Sequence, residues 1–147
     1  MKILILGATG RTGRLIVEDA LKQGYELNIL VRDKNKISFS SKLIKVYQGT
    51  PTRRADLAAA MQGCEVIISA LSVSRASDAP WSKLITPEHF ISESMKNVID
   101  EAGQQNLKRL ITISAWGTGE TKKEIPFWFK WLINHTNLRP IYAEHES

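Results

Sequence analysis

Ile3-Leu4-Ile5-Leu6-Gly7-Ala8-Thr9-Gly10-Arg11-Thr12-Gly13-Arg14-Leu15-Ile16 joins two periodicities through a glycine loop. A short apolar run enters the loop, and Leu15, Ile16, Ala20 and Leu21 recur at helical spacing beyond it until Gly24 stops the turn. A strand followed by a helix with glycines between them is suited to an anion, because backbone N–H groups at a helix N-terminus are left without helical partners. The three glycines divide the work: Gly7 for the tight turn, Gly10 for close approach of a pyrophosphate, Gly13 for packing the helix on the strand. A nucleoside-triphosphate loop would need Gly-x-x-x-x-Gly-Lys-Ser/Thr. Here the fifth position after Gly7 is Thr12, and Arg14 follows Gly13, so that alternative fails.

Outward from the loop, apolar runs recur at Leu27 to Val31, Leu43 to Tyr47, Val66 to Ile68 and Leu110 to Ile113. Amphipathic or alanine-rich stretches separate most of them, which is the pattern of a parallel sheet covered by crossover helices on both faces. Asp56 to Gln62 reads as a helix ending at Gly63. Thr86-Pro87-Glu88 reads as a helix start, with Thr86 as N-cap and Phe90, Ile91, Met95, Val98, Ile99 and Ala102 on one face. Only a loop is expected over Asp33 to Ser41.

With 147 residues, 43% of them hydrophobic, the chain is expected to form one domain, residues 1–147, with its own core. The lone cysteine, Cys64, excludes an internal disulfide and a Cys-rich metal module, so no metal site and a reducing, cytoplasmic setting are expected. No apolar run approaches the roughly 20 residues that span a bilayer, and no membrane partner is expected. The net charge is +5, and the excess lies early: residues 1–75 hold 12 basic against 6 acidic residues, residues 76–147 hold 8 against 9. No basic run interleaved with aromatics accompanies it, so a localised anion site is expected rather than a nucleic-acid surface.

In folds that hold dinucleotides, the residue ending the second strand meets the adenine ribose: a carboxylate bonds the 2′-hydroxyl, an arginine accommodates a 2′-phosphate. Here that strand ends in Arg32, which favours NADP over NAD; its neighbour Asp33 is the competing ribose partner.

The loop Gly7 to Gly13, the strand end Val31-Arg32-Asp33, the entry Gly63-Cys64-Glu65-Val66-Ile67-Ile68 and Ile113-Ser114-Ala115 together resemble the atypical short-chain dehydrogenase/reductases, the group of biliverdin reductase B (flavin reductase) and the NmrA-like proteins. The resemblance covers essentially the whole chain. It implies a doubly wound α/β fold of Rossmann type with strand order 3-2-1-4-5. It also implies a cofactor site of Gly7, Thr9, Gly10, Arg11, Thr12 and Gly13 around the phosphates, Arg32 at the 2′-phosphate, and Ala70, Leu71 and Ser114 along the adenosine and nicotinamide sides. Relatives often carry an acidic residue after the glycine that ends the third strand; here that pair is Gly49-Thr50. Relatives also continue past a helix begun near Ile141 into a further parallel strand, so the chain is expected to be C-terminally incomplete, with the fifth strand left as an apolar edge.

Short-chain dehydrogenases ordinarily draw a proton from a Tyr-x-x-x-Lys pair, and Tyr25, Tyr47 and Tyr142 are followed four residues on by Ile29, Pro51 and Glu146. Proton supply must come by another route. Ser114 either bonds a substrate carbonyl or the nicotinamide amide, or satisfies backbone at a strand end. The resemblance adds His145, on the helix where relatives can carry a histidine; the other reading is an exposed helix residue. His89 and His135 read as structural or solvated. The aromatic segment 125–133 either stacks on a flat acceptor, with Trp81 and Trp116 beside it, or covers the sheet or a second subunit. Taken together, these readings give an NADPH-dependent reductase of a small aromatic or conjugated acceptor, self-associating as a homodimer through the sheet edge or segment 125–133. The alternative is an NmrA-like NADP sensor without turnover.

Overall fold

The computed structural model describes residues 1–74, 83, 85–87, 89–107, 109–113 and 123–135. Strands β1 (Lys2–Leu6), β2 (Glu26–Val31), β3 (Ile44–Gln48), β4 (Val66–Ser69) and β5 (Leu110–Thr112) alternate with helices α1 (Arg11–Lys22), α2 (Arg54–Met61), α3 (Phe90–Gln104) and α4 (Phe127–Asn134). A single 3-10 turn, Lys34–Lys36, interrupts the loop between β2 and β3. By its internal packing the chain divides into two compact units, Met1–Leu71 with Ser94–Ile113, and Ser72–Glu93 with Ser114–Ser147.

The first unit is a five-stranded, wholly parallel sheet in the order β3-β2-β1-β4-β5. Its central strands are buried on both faces, which is why they read as unbroken apolar runs rather than alternating ones. Even and odd positions of those runs feed different cores. Ile3, Ile5, Leu27, Ile29 and Val31 pack with Val17 and Ala20 of α1, whereas Leu4, Leu6, Leu30 and Ile67 pack with Leu57, Ala60 and Met61 of α2 and Val98 and Ala102 of α3. The register aligns Leu6 with Leu30 on one side and Ser69 on the other, so Gly7, Val31 and Ala70 come side by side at one end of the sheet. This is the Rossmann-type architecture the sequence implies.

Some local expectations change. Leu15 is exposed, and Val17 turns inward with Ala20. Helix α2 begins at Arg54, two residues before the expected start. Thr86 does not cap α3: it is buried, its Oγ1 accepts from the Ser74 N–H at 2.8 Å, and the helix starts only at Phe90, after His89 has taken a left-handed φ of 62°. Ile99, expected on the inner face of α3, is 60% exposed, because the buried stripe runs instead through Ser94, Val98, Glu101 and Ala102.

In the second unit, Ile125 and Ile133 are buried while Phe127, Trp128 and Trp131 of α4 are exposed, and Trp131 stacks on His135 with ring centroids 4.8 Å apart. No helix among the described residues is long and apolar enough to cross a membrane.

One polar joint lies inside the sheet layer. Asn28 on β2, 1% exposed, donates through Nδ2 to the Ala60 carbonyl at 2.7 Å and to Cys64 Sγ at 3.4 Å. Burial pushes the Cys64 thiol up to about 11, against the partial relief of the Lys2 charge and the Asn28 hydrogen bond. The folded protein therefore keeps the thiol proton above pH 9, where the unfolded chain begins to release it. Stability contributed by the neutral thiol is lost as pH rises from about 9 to 11. Urea midpoints of wild type and Cys64→Ala compared at pH 8 and pH 11 should show the steeper decline in wild type; parallel declines would mean that the thiol titrates normally.

Candidate functional site

The turn from β1 into α1 is built of backbone packed on backbone. Gly7 has φ +80°, a left-handed conformation that side chains resist, and a β-carbon there would lie 2.5 Å from the Ala70 carbonyl oxygen and 3.1 Å from the Leu71 nitrogen. A β-carbon on Gly13 would overlap the Gly7 carbonyl oxygen and come within 2.9 Å of the Ala8 Cα. Gly10 closes the turn, its N–H donating to the Gly7 carbonyl at 3.0 Å and its own carbonyl accepting from Arg14 at 3.0 Å.

Gly10 is also the N-cap of α1, and with no side chain it offers no capping oxygen; the first turn of the helix holds no acidic residue either. The positive end of the helix dipole thus meets neither a capping oxygen nor a carboxylate of its own first turn, an arrangement that favours an external anion. Thr9 is half-buried, while Arg11 and Thr12 are exposed on the lip of the turn. Arg14 folds back, Nε donating to the Thr9 carbonyl at 3.2 Å.

Arg32 follows β2 directly and is exposed at the same sheet edge. Its neighbour Asp33 is engaged locally, where Oδ1 accepts from the Asn35 N–H at 2.9 Å and caps the 3-10 turn. The end of β3 is tied to this corner, with the Gly49 N–H donating to the Val31 carbonyl at 2.9 Å. The structure therefore brings Gly7 to Gly13, Arg32, Ala70 and Leu71 to one edge of the first unit. Ser114 and His145, the expected catalytic pair, lie outside the described residues, as do Trp81 and Trp116. Among the described residues no group of three His, Cys, Asp or Glu side chains is placed to hold a metal ion.

A sequence profile described as NAD(P)H-binding matches residues 7–147. The chain belongs to this NAD(P)H-binding family. It is 40% identical over 79 residues to the photosystem II assembly factor Ycf39 of Cyanophora paradoxa, covering 53% of this chain and 24% of that protein. The Synechocystis Ycf39 is 27% identical over 124 residues, 84% of this chain and 36% of its own length. The chain thus spans well under half the length of these curated relatives. Among solved structures, the anaerobillin reductase ChuY of Escherichia coli O157:H7 superposes with a TM-score of 0.75 at 18% identity, covering 99% of this chain and 64% of that one. The Lactococcus lactis oxidoreductase ylbE gives 0.71 at 17% identity, covering 99% and 60%. At such identities the likeness is one of fold.

Two residues of this edge escape a reading by motif. Asp56, third residue of α2, reaches back so that Oδ2 accepts from the Thr50 N–H at 3.1 Å, and Asn97 of α3 donates to the Pro51 and Thr52 carbonyls at 3.2 and 2.9 Å. An acid three residues into a helix is a recognisable signal, but only once the start of α2 is placed at Arg54.

The glycine packing makes a testable contrast. Gly13→Ala should lower stability by about 1–3 kcal/mol or more, since the obstructing atoms are backbone. Gly103→Ala, in α3 with nothing within 4 Å of the added carbon, should raise it by roughly 0.5–1 kcal/mol. Urea midpoints of the two variants check both signs, and equal small effects would mean that the turn is not tightly packed.

Proposed function

We propose that this chain, read over residues 1–147 as one dinucleotide-binding domain, is an NADPH-dependent reductase of a flat, conjugated acceptor of the flavin, quinone or tetrapyrrole class. The observation that carries the cofactor choice is the pairing at the end of β2. Asp33, the group that would select a free 2′-hydroxyl, is engaged in capping its own turn, while Arg32 presents an always-charged fork suited to a 2′-phosphate. The glycine turn gives a pyrophosphate room at a helix N-terminus, and Thr9, Arg11 and Thr12 line its lip. When bound, the reduced nicotinamide supplies hydride; the chain orients it and holds the acceptor.

The acceptor class is supported by the likeness to a protein named as an anaerobillin reductase. In this reading Ser114 bonds the acceptor or the nicotinamide amide, and His145 lies beside them. Self-association is part of the same reading, supported by the partly exposed Ile111 and Ile113 at the β5 edge and, separately, by the exposed aromatics of α4. The single cysteine supports a reducing compartment, the cytoplasm; an uncharacterized Arabidopsis thaliana relative named as chloroplastic, 26% identical over 117 residues, supports a plastid setting as the competing one.

A second reading is an NADP-binding regulatory protein without turnover. It is favoured by the lack of a Tyr-x-x-x-Lys pair and by curated relatives named as assembly factors rather than enzymes. Incubation with NADPH and a panel of flavins, quinones and linear tetrapyrroles separates the two: loss of nicotinamide absorbance supports the reductase, and tight NADPH binding with no loss supports the regulator.

For the cofactor itself, Arg32→Glu should weaken NADPH by about 1.5–3 kcal/mol while leaving NADH nearly unchanged, the cost of losing a hydrogen bond to a charged group. Calorimetric titration of both cofactors reads the difference, and equal effects on the two would remove Arg32 from the 2′-phosphate.

A further inference from the structure

We propose that the open flank of β3 accepts an extended acidic segment of a partner protein as an added strand. The inference goes beyond the dinucleotide reading and asks nothing of Arg32 or the glycine turn.

Charge points to the place. Residues 32–54 hold seven basic residues and one acidic one, whereas the remainder of residues 1–75 holds five of each. The whole basic excess of the first half therefore falls on one continuous stretch. That stretch comprises the connection into β3, β3 itself and the start of α2, and the order β3-β2-β1-β4-β5 puts it at one side of the sheet. Its single acid, Asp33, is engaged in capping the 3-10 turn. Lys34, Lys36, Lys42 and Lys45 are exposed, and none of the four forms an ion pair among the described residues.

The backbone there is a template for a strand. Among the described residues β3 pairs with β2 alone. The Leu27 N–H donates to the Leu43 carbonyl at 2.8 Å and the Gly49 N–H to the Val31 carbonyl at 2.9 Å, so the peptide groups of Leu43, Lys45, Tyr47 and Gly49 face β2 and those of Ile44, Val46 and Gln48 face away. Ile44 spends its N–H on the Ser41 carbonyl at 3.1 Å. The Ile44 carbonyl, both groups of Val46 and the Gln48 N–H have no backbone partner among the described residues.

Side chains set the pattern such a strand must have. Ile44 and Val46 pack with Ile37 and Phe39 on one face of the sheet, and Tyr47 packs on the other. Lys45 shares the Tyr47 face, its Nζ 5.1 Å from the ring centroid. A neighbouring strand with apolar side chains beside Ile44 and Val46 and carboxylates beside Lys45 complements both faces. Lysines on an outermost strand deter cationic and apolar strands from pairing there, and the same charges select an acidic one. A second copy of this flank would bring like charges together, and neither a nucleic-acid duplex nor a lipid headgroup surface engages the outward peptide groups.

Fluorescence anisotropy with two labelled octapeptides, one alternating Glu and Val and the other Lys and Val, tests this on the wild-type chain. The Glu–Val peptide should bind saturably and more weakly as salt rises, and the Lys–Val peptide should not bind. Lys45→Glu should weaken the Glu–Val peptide about 10-fold or more. Val46→Pro should do the same, because proline removes the outward N–H while leaving the pairing with β2, with a melting curve confirming the fold. On the wild-type chain itself, the Glu–Val peptide should slow amide exchange at Val46 and Gln48. No binding of the Glu–Val peptide, or equal binding of the two peptides, would overturn the proposal. So would Glu–Val binding that leaves exchange at Val46 and Gln48 unchanged. Tighter binding of duplex DNA or of anionic phospholipid vesicles would assign the cationic flank to that polyanion instead.

Discussion

Backbone lies directly on backbone where β1 gives way to α1, and much of the architecture around the site follows from that closeness. Gly7 sits against the Ala70 carbonyl and Gly13 against the Gly7 carbonyl, so the ends of β1 and β4 and the first turn of α1 are drawn into one layer with no side chains between them. A side chain at either position would prise the helix from the sheet. The same absence of side chains leaves the helix N-terminus without a capping oxygen of its own. Under the proposed function, packing and ligand binding would use one feature twice: the glycines that let the helix sit close also clear the space an anion needs.

From this corner the rest of the edge is assembled by short ties between neighbouring strand ends. Val31 receives Gly49, Leu6 receives Ala70, and Asp56 and Asn97 hold the loop after β3 from two different helices. Acidic groups along this edge are spent on local geometry. Asp33 caps its turn and Asp56 braces Thr50, and Arg32 follows β2 directly. The basic excess of residues 1–75 is in keeping with such an edge.

Much of this was legible in the residues. Each apolar run proved to be a strand with ends displaced by a residue or less, and the central strands, buried on both faces, leave little ambiguity in an α/β chain. Helix boundaries were harder. Thr86 followed by Pro87 has the form of a cap, but the Thr86 hydroxyl is taken by a backbone N–H twelve residues earlier, and no local pattern announces that. Likewise Ser94 and Glu101 line the buried side of α3 where polarity argues for solvent, and Ile99 faces outward in their place. Glu101 is kept there by Gln105 at 3.0 Å and by Arg54 at 3.9 Å, partners visible only after folding. At the site, the glycines and Arg32 carry a motif, whereas Asp56 and Asn97 act through loop carbonyls and amides that any residue type supplies.

Everything proposed for the edge depends on the Gly7 to Gly13 turn holding the pyrophosphate of a nicotinamide dinucleotide. Calorimetric titration of NADPH into wild type and Gly10→Val tests this most directly, since the added branched side chain stands at the helix cap, where a β-carbon would already lie 3.3 Å from the Gly7 carbonyl oxygen. Saturable binding to wild type and none to the variant is the expected result, with the variant's melting temperature close to that of wild type. Undiminished NADPH affinity in a folded Gly10→Val chain would contradict it.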